Sequence, residues 1–205
     1  MVDGRIERGS RTRTAVLDAA VATASVDGLD GMSLAQLAGL LGVSKSGLFA
    51  HWPDKERLQL DVVEHAVEQW QQRIIAPALR RSSAVERLWT LHLRRLNFYA
   101  ERVLPGRCFF AAVRPEFDDR PGPVRDAILA ATSAWTRFLA DQVRRGVRVG
   151  ELRGGVDPAQ LAFEIDALGE AAATHPRPAA RRHSRRAVLD RLRALATDPS
   201  VLPKE

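Results

Sequence analysis

Cysteine occurs once in the 205 residues, as Cys108, so the chain can form no internal disulfide and no thiolate metal cluster. A reducing compartment suits it, and the cytoplasm is the expected location. Long apolar runs are also missing. Charges, Asp18 among them, interrupt the first apolar helix, and no stretch approaches the length that spans a bilayer, so no membrane partner is expected. Lysine is confined to Lys45, Lys55 and Lys204, and nearly all the positive charge is arginine. No Ser-His-Asp set, Cys-His pair or glycine-rich phosphate loop stands out. The expectation is therefore no catalytic constellation, no cofactor and no resident metal. Period-two alternation is nearly absent, which points to an all-α chain.

Hydrophobic residues make up 45% of the sequence, enough to bury a core in one large or two small domains. The net charge of +6 favours an anionic partner, nucleic acid or a membrane surface, without choosing between them.

One stretch organises the rest: SLAQLAGLLGVSKSGLFAHWPDK, from Ser33 to Lys55. Ser33 with Gln36 forms a capping-box pattern, and Leu34, Leu37 and Leu41 share a helical face until Gly42 stops the helix. Val43 reads as a buried plug. Ser44 is a cap for a second short helix carrying Lys45, Ser46, Gly47, Leu48 and Phe49. Small Ala38 lets the two helices cross closely. The second helix presents its N-terminal turn, with Ser44, Lys45 and Ser46, in a form that fits the DNA major groove. A helical hairpin that only packs has the same spacing, and the spacing alone does not separate the two.

The wider string GVSKSGLFAHWPDKERL, behind an upstream helix rich in Ala and Leu, closely resembles the TetR family of bacterial transcriptional regulators, over roughly residues 12 to 60 without a gap. The resemblance implies an N-terminal three-helix DNA-binding domain and a C-terminal helical domain for effector binding and dimerisation. The expected boundaries are 1–54 and 55–205. It also implies a homodimer on a near-palindromic double-stranded operator, usually acting as a repressor, and a small-molecule effector that releases it. Many members carry Tyr where this chain has Phe49, and the phosphate contact of that phenol is then missing.

The DNA-contact candidates are Arg11, Arg13, Thr14, Ser33, Ser44, Lys45, Ser46, Gly47, Phe49, His51 and Lys55. An ammonium at Lys45 can reach guanine acceptors, and Gly47 permits close approach. His51 and Lys55 are read as phosphate contacts that set register, with His51 packed beside Trp52 as the alternative. Ser44 serves equally as a cap, and Leu48 and Phe49 serve packing. Residues 1–11 read as a flexible basic arm with Arg5 and Arg8, and a helix follows from Arg13 to Val26.

Beyond Pro53-Asp54, a long helix from Lys55 to Ile75, striped with Val63, Val67, Trp70 and Ile74, is the expected mechanical link between the domains. Ser83 with Glu86 is a second capping box, opening a helix to Arg102. Arg107–Arg114 reads as a short helix, PEFDDRPGPVRD as a proline-punctuated loop, and Val124 to Phe138 as the apolar face of a long helix. Within it, EFDDRPGPVRD is similar to a segment of one TetR subgroup. Asp157-Pro158 starts the next helix. A final helix is expected at Ser184–Thr197, with the basic stretch His175 to Ala187 as a solvated connection before it.

Trp70, Trp89, His92, Phe109, Phe110 and Trp135 are the effector-pocket candidates that the resemblance would group; plain core is the competing reading for each. Leu161, Ile165, Leu168, Val188, Leu192 and Leu195 are the dimer-interface candidates it implies. Cys108 reads either as buried filler or, beside Arg107, as a thiol with a lowered pKa. Glu116, Asp118 and Asp119 lack a His or Cys at metal-ligand spacing, and a loop ion pair of Asp119 with Arg120, or a helix cap, is the alternative. Two further function classes stay open: an architectural DNA binder without effector, and a small helical enzyme using His92 and the acidic loop.

Overall fold

The chain is all-α. The computed structural model describes residues 3–175 and 177–203, with side chains from residue 11 onward except at Lys45. In order the helices are α1 Asp3–Asp27, α2 Leu34–Leu41, α3 Lys45–His51, α4 Lys55–Trp70, α5 Ala76–Leu79, α6 Ala84–Ala100, α7 Phe109–Phe117, α8 Pro123–Arg148, α9 Pro158–Thr174 and α10 Pro178–Leu195. No strand occurs among the described residues, only one isolated antiparallel bridge, Leu152 to Ala196. No described helix is long and apolar enough to cross a membrane.

Local chemistry accounts for most helix ends. Ser33 accepts from the Gln36 N–H at 3.2 Å while the Gln36 side chain accepts from the Ser33 N–H at 2.9 Å. Gly42, at φ +64°, closes α2 with its N–H on the Ala38 carbonyl. Asp157 accepts from the N–H groups of Ala159 and Gln160, with Pro158 as first helical residue of α9. At α6 the arrangement is different from the expected box. Ser83 accepts from the Glu86 N–H at 3.2 Å, but the freed N–H groups of Ala84 and Val85 go to Glu151, at 2.6 and 3.2 Å.

Four boundaries differ from the sequence reading. Helix α1 begins at Asp3, so the expected arm is helical; the side chains of Arg5 and Arg8 lie outside the described ones. The helix from Lys55 changes pitch after Trp70: Gln71–Ile75 is a π turn in which the Ala76 N–H reaches back to Gln71. Pro77 follows directly, and a widened turn relieves the clash its ring would make with the carbonyl four residues back. Helix α7 runs through Pro115 to Phe117, because Phe117 is buried and Glu116 finds partners. Helix α10 starts at Pro178, so most of the basic stretch from His175 onward is helix rather than connection. Buried Ser184 holds that part of α10 in place by donating to the Leu168 carbonyl at 2.7 Å.

The chain divides into two compact units, residues 1–69 with 104–129, and residues 70–103 with 130–205. The first therefore extends past the three-helix domain expected at 1–54 to take in most of α4, all of α7 and the start of α8. Its core holds Leu17, Val21, Leu37, Leu48, Trp52, Leu58, Val62, Phe109 and Ile128, and α7 packs on α1.

In the second unit α6, α9 and α10 pack against one another. Its interior is built around Arg95, buried yet charged. Nη1 of Arg95 donates to the Asp166 carboxylate at 2.8 Å and Nε donates to the Tyr99 hydroxyl at 2.6 Å. The guanidinium lies over the rings of Trp70, Tyr99 and Trp135 at 5.6 to 5.9 Å. Gly169 leaves the space: a Cβ there would sit 2.4 Å from Arg95 Nη1.

Candidate nucleic-acid interface

Helix α3 separates its residues sharply by exposure. Leu48 is 1% exposed and Trp52, its C-cap, is fully buried, whereas Ser44, Ser46, Gly47 and His51 are exposed and Phe49 is 52% exposed. The structure thus brings a polar first turn and one large apolar ring onto the open side of a short helix whose other side is core. Lys45 is the first residue of that helix, and its side chain lies outside the described ones. Ser44 accepts from the Gly47 N–H at 3.1 Å, and Ser46 donates to Ser44 at 3.4 Å, so Ser44 is the cap. Val43, expected as a buried plug, is half-buried. His51 stands 5.6 Å from the Trp52 ring and remains exposed.

Behind α3 stands a residue the sequence reading missed. Asp61, buried on α4, accepts from Trp52 Nε1 at 2.9 Å and from Arg13 at 2.6 Å, and pairs with Arg57 at 2.9 Å. Arg13 also lies over the Trp52 ring at 5.9 Å. One carboxylate therefore ties α1, the end of α3 and α4 together. Arg13, expected at the DNA, is engaged in this fastening. Arg11 and Thr14 are exposed on α1.

Lys55, expected on phosphate, donates to the carbonyl of Asp30 and to its carboxylate, the latter at 3.1 Å. Arg120 pairs with the same carboxylate at 2.5 Å, rather than with neighbouring Asp119. Hydrogen bonds from Arg120, then from Lys55, hold the Asp30 carboxyl below the ordinary aspartate range. No cluster of metal-ligating side chains occurs among the described residues.

The aromatic candidates fall into different units. Trp70, Trp89, His92 and Trp135 belong to the second, where Trp70 meets Trp135 edge-on at 5.4 Å. Phe109 and Phe110 belong to the first, edge to face at 5.2 Å, with Phe109 in its core. His92 is buried, and Ser184 lies 3.2 Å from its Nε2. Burial, then the nearby Arg95 charge, lowers its pKa to about 3, so the ring is neutral at ordinary pH. Cys108 is buried beside Phe109, as the filler reading requires.

The interface candidates on the last two helices also need correction. Leu161, Ile165, Val188 and Leu192 are at most 2% exposed within the single chain, so they are its own core and present almost no surface to a partner. Leu168 and Leu195 are half-buried. The large apolar residue left open on α9 is Phe163, 66% exposed.

Comparison with known proteins agrees with this architecture. The family described as "Bacterial regulatory proteins, tetR family" matches residues 16–62, and "Tetracyclin repressor-like, C-terminal domain" matches residues 84–193. No curated protein matches the chain. Among solved structures, a TetR transcriptional regulator from Chloroflexus aurantiacus is 24% identical, with a TM-score of 0.80 over 89% of this chain and 94% of that one. A TetR-family regulator from Cytophaga hutchinsonii is 20% identical, with a TM-score of 0.79 over 93% and 98%. AibR, solved with isovaleryl coenzyme A and operator DNA, is 19% identical, with a TM-score of 0.69 over 90% and 97%. With family matches on both its N-terminal and its C-terminal part, the chain belongs to the TetR family of bacterial transcriptional regulators.

Proposed function

We propose that the protein is a homodimeric repressor that reads a near-palindromic operator with the first turn of α3 and leaves it when a small molecule binds the second unit. One observation carries the DNA part: α3 buries Leu48 and Trp52 while leaving Ser44, Ser46, Gly47, Phe49 and His51 open. A helix held firmly from behind and polar in front suits the major groove, where side chains reach base edges. Lys45 is the proposed base reader. His51, Ser46 and Arg11 are the proposed phosphate contacts, and Lys55 joins them once it exchanges Asp30 for a phosphate. AibR, bound to both an operator and an acyl coenzyme A, supports pairing the two activities on this fold.

For the effector, the proposed site is the interior of the second unit, around Trp70, Trp89, His92 and Trp135. Trp70 Nε1 and His92 Nδ1 are buried there without a protein partner, as is Gln142 Oε1 in the same unit, and such groups favour a ligand that bonds them. For the dimer, the proposed surface is the open side of α9 around Phe163, bordered by Glu164 paired with Arg191 at 2.7 Å.

Enrichment of bound duplexes from a random pool tests the reading. Two related half-sites about one helical turn apart are expected, and a pool that stays random through repeated rounds would overturn it.

A further inference from the structure

We propose that Glu116, on α7, is a positioning residue for DNA reading: it fixes the connection between α1 and α2 and through it the setting of the α2–α3 pair. This rests on the DNA-reading function proposed above. The two oxygens of its carboxylate accept from two successive main-chain N–H groups of that connection, Leu29 at 3.1 Å and Asp30 at 2.9 Å. Gly28, just before them, has φ +81°, and a Cβ on it would lie 2.1 Å from Glu116 Oε1. The backbone angle and the space both demand glycine, and the space is the one the carboxylate fills.

The same short connection is held from the other side by α4. Gln59 donates to the Leu29 carbonyl at 3.1 Å, and Lys55 donates to the Asp30 carbonyl. Arg120, just beyond α7, takes the Asp30 carboxylate. A second fastening lies before α7. The Gly106 N–H donates to Ser25 Oγ at 3.0 Å, and a Cβ on Gly106 would be 1.6 Å from the Ser25 carbonyl oxygen. The region of α7 therefore grips the C-terminal end of α1 and the chain that follows it at two places, although Glu116 and Leu29 stand 87 residues apart in sequence.

The consequence for DNA follows from geometry. Ser33 caps α2 three residues after Asp30, and α2 packs on α3, so the point where the connection is pinned decides where α2 enters. Base-edge contacts need the reading helix within fractions of an ångström, and attraction between Arg side chains and phosphates does not. Releasing the connection spreads the α2–α3 pair over more positions. Affinity for the correct sequence then falls by the fraction that remains competent, while non-specific affinity stays the same.

The test uses the full chain with the duplex that the wild type enriches and a shuffled duplex of equal length, at one salt concentration. Glu116→Gln keeps the shape but turns an NH2 towards an N–H, and Glu116→Ala removes both acceptors. For both, the ratio of enriched to shuffled affinity is expected to fall about tenfold or more with shuffled binding unchanged, alongside faster hydrogen exchange at the Leu29 and Asp30 amides. Glu116→Asp should restore part of the ratio. A wild-type ratio in folded Glu116→Gln, or equal loss on both duplexes, would overturn the inference. If Glu116→Ala fails to fold, Glu116→Gln decides alone. Failure of the wild type to enrich any duplex counts instead against DNA reading itself.

Discussion

His92 shows how much one buried side chain can set. Its imidazole is shut away from water beside the Arg95 charge, with its pKa near 3, while in the unfolded chain it titrates near 6.5. Between those values the unfolded state binds a proton that the native state refuses, so stability rises with pH across that window and is lost as pH falls below 6.5. The contribution is about 1.4 kcal/mol per pH unit. In urea unfolding at about pH 7 and about pH 5, His92→Gln should flatten the pH dependence relative to wild type while keeping a partner for Ser184. An unchanged slope would show that other groups carry it. Phe49 offers a second test at the same scale. A Tyr in its place, as in many relatives, adds a hydroxyl on the exposed side of α3. Phe49→Tyr should therefore tighten binding to enriched and shuffled duplexes alike, by about fivefold for one hydrogen bond of roughly 1 kcal/mol, read by fluorescence anisotropy.

At the scale of the element, Asp61 on α4 joins three helices. It satisfies the indole N–H of Trp52 at the end of α3 and neutralises Arg13 on α1. Asp61→Ala leaves a buried N–H without an acceptor, and a loss of about 2 to 4 kcal/mol is expected from that and the lost charge-assisted bond. A drop in the thermal midpoint measures it, and an unchanged midpoint would mean that water replaces the carboxylate at no cost. Asp61 also marks where sequence reading stops. The helix–turn–helix was legible because its signals are local: the Ser33–Gln36 box, Gly42 and the Ser44 cap all act within four residues. Asp157-Pro158 was legible for the same reason. Asp61, Glu116 and Glu151 act across 9 to 87 residues of chain, and nothing in their neighbours marks them. For Glu116 the only trace was the similarity of EFDDRPGPVRD to a family segment, which carried no chemistry until Gly28 and its two following amides were seen against it. Pro115 misled in the other direction. A proline usually ends a helix, but near the end of α7 burial of Phe117 and the bonds to Glu116 outweigh the one hydrogen bond it forfeits.

Across the whole molecule, the largest departure from the sequence pattern lies at the expected interface. A helical stripe of Leu161, Ile165, Val188 and Leu192 looks the same in sequence whether it faces a partner or the chain's own α6, and here it is buried within one chain. Leu192→Glu should accordingly unfold the second unit, while Phe163→Arg should leave the fold intact and give monomers by sedimentation, with loss of operator binding. A dimer that survives Phe163→Arg would place the interface elsewhere. In the proposed homodimer, a twofold pair of α3 helices doubles the contacts that one α3 makes on a symmetric site. An effector that binds the second unit more tightly in a conformation with the wrong spacing of the two reading helices must weaken DNA binding by the same factor.

The reading of DNA through its major groove is tested most directly by methylation protection of guanine N7 on the duplex that the wild-type chain enriches. Guanines in two patches about one helical turn apart should be shielded by the wild type, and one guanine in each patch should become reactive again with Lys45→Ala. Full reactivity of every guanine under saturating protein, or protection that Lys45→Ala leaves intact, would contradict the role given to the first turn of α3.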